Sequence, residues 1–278
     1  MKNSKLNLVR IAVVAVLCLF SLAASSVAAT HPLNYPYGLA VDAKGNLYVA
    51  NTSSSEILVY SPTHAQLASK TITADVSLPT SVAFDPNGNL WVANNGAPVS
   101  LTEYSPAGVQ NTRDTITNGI TSPDAIAIDG LDNIWVEDNF TNLVVYAQSQ
   151  TSPLLSIPAA LPITGLAAHQ GYLAIGANSY TFIGEISLFL HNDDAAGQFP
   201  TTCFGMAYDK AGYLYCGNQD DTLTVTDPAG NVKTLATLAS FPTGLAIDNA
   251  RKLVYVSSGP ANTISVYTTG GTLLTTIK

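Results

Sequence analysis

"PYGLAVDAKGNLYVAN", Pro36 to Asn51, reads as two short apolar runs joined by a polar turn. The phrase returns as "PTSVAFDPNGNLWVANN" from Pro79, "PDAIAIDGLDNIWVEDN" from Pro123 and "PTGLAIDNARKLVYVSS" from Pro242. Weaker copies lie between, "PITGLAAHQGYLAIGAN" from Pro162 and "CFGMAYDKAGYLYCGNQ" from Cys203. The Asp of the phrase stands at Asp42, Asp85, Asp129, Asp209 and Asp248, with Ala168 in the fourth copy, so the spacings are 43, 44, 39, 41 and 39 residues. Repeats of this period mark solenoids, propellers and arrays. The runs are rich in Val, Ile, Leu, Tyr and Trp and are punctuated by Gly, Asn, Asp and Pro, which selects strands over helices.

Each copy offers four strands. In the first these are Gly38–Asp42, Asn46–Asn51, Glu56–Tyr60 and Gln66–Thr73. The turn Asp accepts from backbone N–H groups and the turn Gly supplies a positive φ, so both have a structural role before any functional one. Runs such as "GLAV", "LYVA" and "ILVY" are apolar almost throughout, as in a sheet covered on both faces. Blades packed around an axis are covered in this way. The expected fold is all-β: a six-bladed β-propeller of four-stranded antiparallel blades over 30–278, with repeats starting near 36, 79, 123, 162, 203 and 242. Small Gly and Ala residues in each first strand suit the crowded axis. Gly271–Lys278 can supply the last outer strand, so the ring is expected to close by face packing, with Thr30–Asn34 adding to an edge.

Residues 1–29 have the three parts of a secretory signal peptide. Lys2, Lys5 and Arg10 form a basic start, Ile11–Ala24 is apolar but short for a bilayer span, and Val27-Ala28-Ala29 fits a small-x-small cleavage site. The mature chain is therefore expected to be secreted or periplasmic, with no membrane association after cleavage. The leader takes three of the eleven Lys and Arg and none of the 19 acids, which leaves a formal charge of −11. Such a balance excludes nucleic-acid binding, which needs clustered basic residues. Cys203 and Cys216 fall on adjacent strands about three positions out of register, an offset that argues against a disulfide; their oxidation state is left open.

The phrase P-x-G-[LI]-A-[VI]-D-x-x-G-N-[LI]-[YW]-V, seen best at Pro36–Val49 and Pro79–Val92, resembles the NHL repeat. It is also similar to the blades of the SMP-30/gluconolactonase superfamily. The resemblance covers nearly all of the mature chain and implies the propeller fold; activity among such proteins ranges from lactonases and lyases to binding scaffolds. Gluconolactonase-like enzymes share a Glu-Gly-Pro near the first blade and an Arg-x-Asn-Asp segment later. Here Asn34-Tyr35-Pro36 stands at the first place, and Arg113 is followed by Asp114-Thr115. The His residues His31, His64, His169 and His191 sit at unmatched places in their units, unlike the ligand sets and His–acid pairs of propeller lyases.

Loops before each first strand and after each second strand share one face of such a ring. The residues ending the second strands are Asn51, Asn94, Asp138, Ala177, Asn218 and Ser258, with Asn178 one further on. A ring of Asn51, Asn94, Asp138, Asn178, Asn218 and Ser258 could hold a divalent cation such as calcium, or hydrogen-bond sugar hydroxyls. The same residue types also end strands by satisfying local backbone groups. One position breaks the pattern: where other copies carry Ala50, Ala93, Gly176, Gly217 and Ser257, the third carries Glu137. Glu137 and Asp138 are the candidate metal ligands, although neighbours on a strand point to opposite faces. No catalytic residues are assigned. The fourth copy has lost both its turn Asp and its strand-end amide, and Tyr180–Phe182 with His191–Asp194 could shape a partner surface.

The expected function is that of an exported, monomeric binding or scaffold module for a protein or carbohydrate partner. The alternative is a divalent-metal-dependent hydrolase or lyase of the lactonase type. Mass spectrometry of exported material is expected to give an N-terminus near Thr30; intact Met1 or Lys2 on that material would contradict the leader.

Overall fold

The computed structural model describes residues 30–147, 149–159, 161–177, 180–185, 197–199 and 202–278. The leader, Asn178 and residues 191–194 lie outside them. The described residues form six antiparallel sheets, each built from one copy of the phrase and the stretch of chain between it and the next copy. Blade one holds Pro36–Val41, Leu47–Asn51 and Glu56–Tyr60. Blades two to six each have four strands, and their inner strands are Pro79–Phe84, Pro123–Ile128, Ile163–His169, Cys203–Tyr208 and Gly244–Asp248. In blade four, Tyr180–Glu185 is the third strand and Gly197–Phe199 the outer one.

Blade one departs from the expected four strands. The stretch read as Gln66–Thr73 touches the third strand only through bridges at Tyr60–Gln66 and Ile57–Ile72, because Ala68–Lys70 winds into a turn of 3-10 helix between them. Ala and Lys are poor strand formers, so the alternation that would carry a ladder is lost there. Thr30–Asn34 adds no strand. His31 instead exchanges bonds with Gln66 through its backbone N–H and carbonyl, and its Nδ1 lies 2.6 Å from Glu56 Oε2.

The core is six seams rather than one centre. Leu47, Val49 and Leu58 of blade one pack with Tyr255, Ile264 and Val266 of blade six, while Ala50 and Ile57 on the other face of blade one pack with Val82, Leu90 and Val92 of blade two. The same arrangement joins blades two and three, three and four, four and five, and five and six. Burial on both faces is why these strands lack polar alternation. The ring closes by packing and by hydrogen bonds that include Thr243 Oγ1 to Pro36 O at 2.8 Å, Ser257 Oγ to Tyr37 O at 2.5 Å and Tyr35 N–H to Asn262 Oδ1 at 2.7 Å. All four strands of blade six come from the chain's last quarter, and the outer one is Leu273–Ile277.

At the turns the recurrent Asp is a backbone acceptor. Asp42 Oδ1 receives the N–H groups of Lys44 and Asn46, both at 2.8 Å, and Asp129 repeats this with Leu131 and Asn133 while also accepting from Trp135 Nε1 at 2.9 Å. Cys203 and Cys216 are joined in a disulfide, against the expectation from their offset. A bulge after Cys203 sets it opposite Asn218, so Cys216 lies two residues along the same face and the Cα atoms stand 5.3 Å apart.

Near the axis the inner strands come too close for side chains. A Cβ at Gly38 would lie 2.6 Å from Ser81 Cα, and one at Gly205 would lie 2.6 Å from the carbonyl carbon of Gly244. A Cβ at Gly171, in an exposed hairpin turn, would meet nothing within 4 Å. Gly205→Ala is expected to cost about 1–3 kcal/mol through forced separation of backbones, and Gly171→Ala almost nothing, as read from thermal melts of each. Equal melting temperatures for the two variants would contradict the close-packed axis.

Candidate functional site

The inner strands share a defect that sets up the site. In blades one to five the pairing register slips directly after the first residue of the inner strand, at Pro36/Leu39, Pro79/Ser81, Pro123/Ala125, Ile163/Gly165 and Cys203/Gly205. A bulge leaves one residue outside the ladder and re-aims its side chain. Tyr37, Thr80, Asp124, Thr164 and Phe204 occupy these bulges, and Thr243 takes the matching place in blade six. Three of the six act as pins. Thr80, Thr164 and Thr243 donate to the carbonyls of Pro123, Cys203 and Pro36, the first residues of the next inner strands, at 2.7, 2.7 and 2.8 Å. Tyr37, Asp124 and Phe204 alternate with them, and all six line an axial cavity of about 330 Å³ together with Glu137 and Phe140.

Glu137 enters this cavity through the seam between blades three and four. Other seams are closed at that level: a Cβ on Gly217 would lie 2.7 Å from Pro242 Cβ, and one on Gly176 would strike the Cys203 carbonyl. In blade three the residue is 1 % exposed and pairs across the sheet with Ala125 and Leu143. Its Oε1 accepts the Phe140 N–H at 2.7 Å. The loop is folded over it by two consecutive left-handed residues, Asn139 at φ 55 and Phe140 at φ 59. That conformation is unusual for a bulky side chain and is typical of strained functional positions. Phe140 remains half-exposed, and its carbonyl takes the Ile163 N–H at 2.6 Å, which ties the loop to blade four.

Asp124 is the second carboxyl of the cavity. Its Oδ1 accepts from Asn95 Nδ2 at 3.2 Å, and its Oδ2 is buried with no hydrogen-bond partner. Burial, reinforced by Asp124 and Asp138, pushes the Glu137 pKa up to about 8, with the Phe140 and Ala125 N–H groups opposing the shift. Burial likewise raises Asp124 to about 6, against the Asn95 hydrogen bond, and burial with the two carboxylates raises the Tyr37 phenol to about 12. None of the residues lining the cavity is Lys, Arg or His.

The strand-end side chains do not converge on the axis as expected; Asn51, Asn94, Asp138 and Ser258 hold the incoming linkers, and Asn218 braces the strand that follows it. Asn51 accepts from Asn34 N at 2.7 Å and donates to Pro32 O and Glu56 Oε1. Asn94 accepts from Ser77 N at 3.0 Å and donates to Thr102 Oγ1. Asp138 Oδ1 accepts the N–H groups of Thr121 and Ser122 at 2.8 and 2.7 Å, and its Oδ2 accepts from Thr121 Oγ1 at 2.9 Å. Asn218 donates to Thr222 and Thr224 of the next strand, and Ser258 to Ser240 at 2.8 Å. The physical reason is strand alternation: residue 137 faces the seam, so residue 138 faces away from it. Glu137 and Asp138 therefore share no ligand position, and among the described residues no three His, Cys, Asp or Glu side chains are grouped to hold a metal ion. His31 bonds Glu56, His64 lies edge-on to Tyr255, and His169 lies against Tyr208.

Glu137 folds with its pKa above the unfolded value, so it binds a proton on folding. Its stabilisation is complete below about 4.5 and is lost as pH rises through about 8. Glu137→Gln keeps an acceptor for Phe140 N–H and does not titrate. Its melting temperature is expected to vary less than that of the native protein between pH 4.5 and 8, and to exceed it at pH 8. Parallel melting curves across that range would contradict the burial of an uncompensated carboxyl.

Comparison with known proteins agrees with this architecture. A family model for the NHL repeat matches residues 33–60. No curated protein sequence matches. Among solved structures, the chain is similar to a streptogramin B lyase at 13 % identity and a TM-score of 0.63, over 88 % of this chain and 84 % of that one. It is also similar to the Kuenenia stuttgartiensis hydrazine synthase at 14 % identity and a TM-score of 0.62, over 87 % and 79 % of the two chains. Identities this low speak for the fold alone. The protein is thus a β-propeller whose first blade carries a match to the NHL repeat.

Proposed function

We propose that the protein is an exported binding propeller whose ligand enters the axial cavity past Phe140. The observation that supports this is Glu137: a single carboxyl set into a seam that small residues close elsewhere in the ring. Burying it costs stability, as its raised pKa records. A cost carried by one blade, beside a strained aromatic loop and a cavity of ligand size, is the pattern of a binding site. The metal-dependent hydrolase reading has less support, because Asp138 is committed to Thr121 and Ser122. The supporting groups are two carboxyls, a phenol and two aromatic rings, which suit recognition of a protein side chain or a sugar rather than a resident ion.

The reading is tested with an immobilised glycan and peptide array probed with native protein and with Phe140→Gly. Glycine suits the positive φ and removes the ring, so the fold is expected to persist with an unchanged melting temperature. At least one array feature is expected to capture the native protein and to lose the variant. Stoichiometric divalent metal in the purified protein, with turnover of lactones or esters that Glu137→Ala abolishes, would overturn the proposal.

A further inference from the structure

The cavity holds a charge imbalance that the chain does not correct. Asp124 and Glu137 line it, Asp138 lies close behind on the strand of Glu137, and Tyr37 faces both carboxyls from blade one. Among the described residues no basic side chain lines it. Asp124 Oδ2 is a buried oxygen without a donor, and a buried acceptor left unpaired is costly unless something supplies the hydrogen bond. The rings of Tyr37, Phe140 and Phe204 line the same space, and Phe204 is fixed edge-on against Phe241 with centroids 4.8 Å apart. Aromatic faces attract cations, and carboxylates pair with them.

From the cavity, its aromatic walls and the donorless Asp124 oxygen, we infer that the ligand group received here is a primary alkylammonium. With the Asp124 carboxyl turned toward the cavity, the ligand's N–H groups supply the donor that Oδ2 lacks, its charge pairs with the carboxyls, and its methylenes lie along Tyr37, Phe140 and Phe204. A quaternary ammonium would satisfy the rings and leave the oxygen unpaired. The inference rests on the reading of the cavity as a ligand site and names what that site takes. Binding a cation favours the ionised carboxyls, so a proton is released where Glu137 and Asp124 are otherwise protonated. Affinity accordingly rises as pH increases from 6 to 8.

The test is titration calorimetry of the full chain with cadaverine, with 1,5-pentanediol as its neutral counterpart, and with choline as a cation without N–H donors. Cadaverine is expected to bind at least about tenfold more tightly than either, a single charge-assisted pair being worth that factor. Its affinity is expected to rise about tenfold or more from pH 6 to 8, for release of one proton, and to fall by a similar factor in Asp124→Asn. Choline binding as well as cadaverine would overturn the hydrogen-bond assignment, and the diol binding as well as cadaverine would overturn the cation. If cadaverine fails while Phe140→Gly still abolishes capture on the array, the ammonium inference falls and the binding site stands. If both fail, both fall. The ligand comparison uses native protein throughout, so it decides the matter even if Asp124→Asn does not fold.

Discussion

Everything in this molecule depends on how near the inner strands come to one another around the axis. At Gly38 and Gly205 the gap to the next backbone does not admit a methyl group. That spacing brings the flat faces of the blades into contact and gives each seam its own apolar cluster. It also dictates which residues can stand beside the cavity. Most seams admit only Gly, Ala or Ser at the level of residue 137, so a carboxyl there requires a seam that gives way. The cavity and the defect are thus one structural fact seen from two sides.

The bulges divide the work among the blades. Three hydroxyls tie neighbouring inner strands together, and the intervening positions are released from that duty. Those positions hold Tyr, Asp and Phe. A ring can therefore carry a functional set on alternate blades without loosening its closure, since each functional blade is clasped by a neighbour. Thr52 adds a further clasp, donating to Pro79 O at 2.7 Å beside the blade of Tyr37.

The repeat made the fold legible because each copy carries a strand, a turn and a strand with fixed punctuation. The seams follow from the absence of polar alternation. What stayed hidden was local. The 3-10 turn at Ala68–Lys70 removes a strand that composition alone would keep, and the bulge after Cys203 brings two cysteines together that simple counting holds apart. At the site, Glu137 was visible because it departs from a position that is otherwise small. Tyr37 and Asp124 were not, since the matching residue in the six copies is Tyr, Thr, Asp, Thr, Phe or Thr and offers no norm to depart from. Asn51, Asn94, Asp138, Asn218 and Ser258 formed the clearer pattern in the sequence, and that regularity belongs to local bracing: four of them hold linkers, and Asn218 holds the following strand. In a repeat protein, uniform residues maintain the ring and exceptions mark its use.

The sixth blade draws all its strands from one contiguous stretch. Many closed rings gain from having the two ends of the chain share a blade, so that nothing is complete until everything is. Here each blade can hydrogen-bond its own ladder as soon as its segment is present, and the disulfide spans only 13 residues inside blade five. The contacts that define a blade are short in sequence, and the longest-range event is the meeting of blade six with blade one, through Thr243, Ser257, Asn262 and Tyr255. Low sequence separation favours fast, stepwise assembly. The chain can thus order itself progressively, blade by blade, with the cavity coming into being only at the final docking of first blade against last.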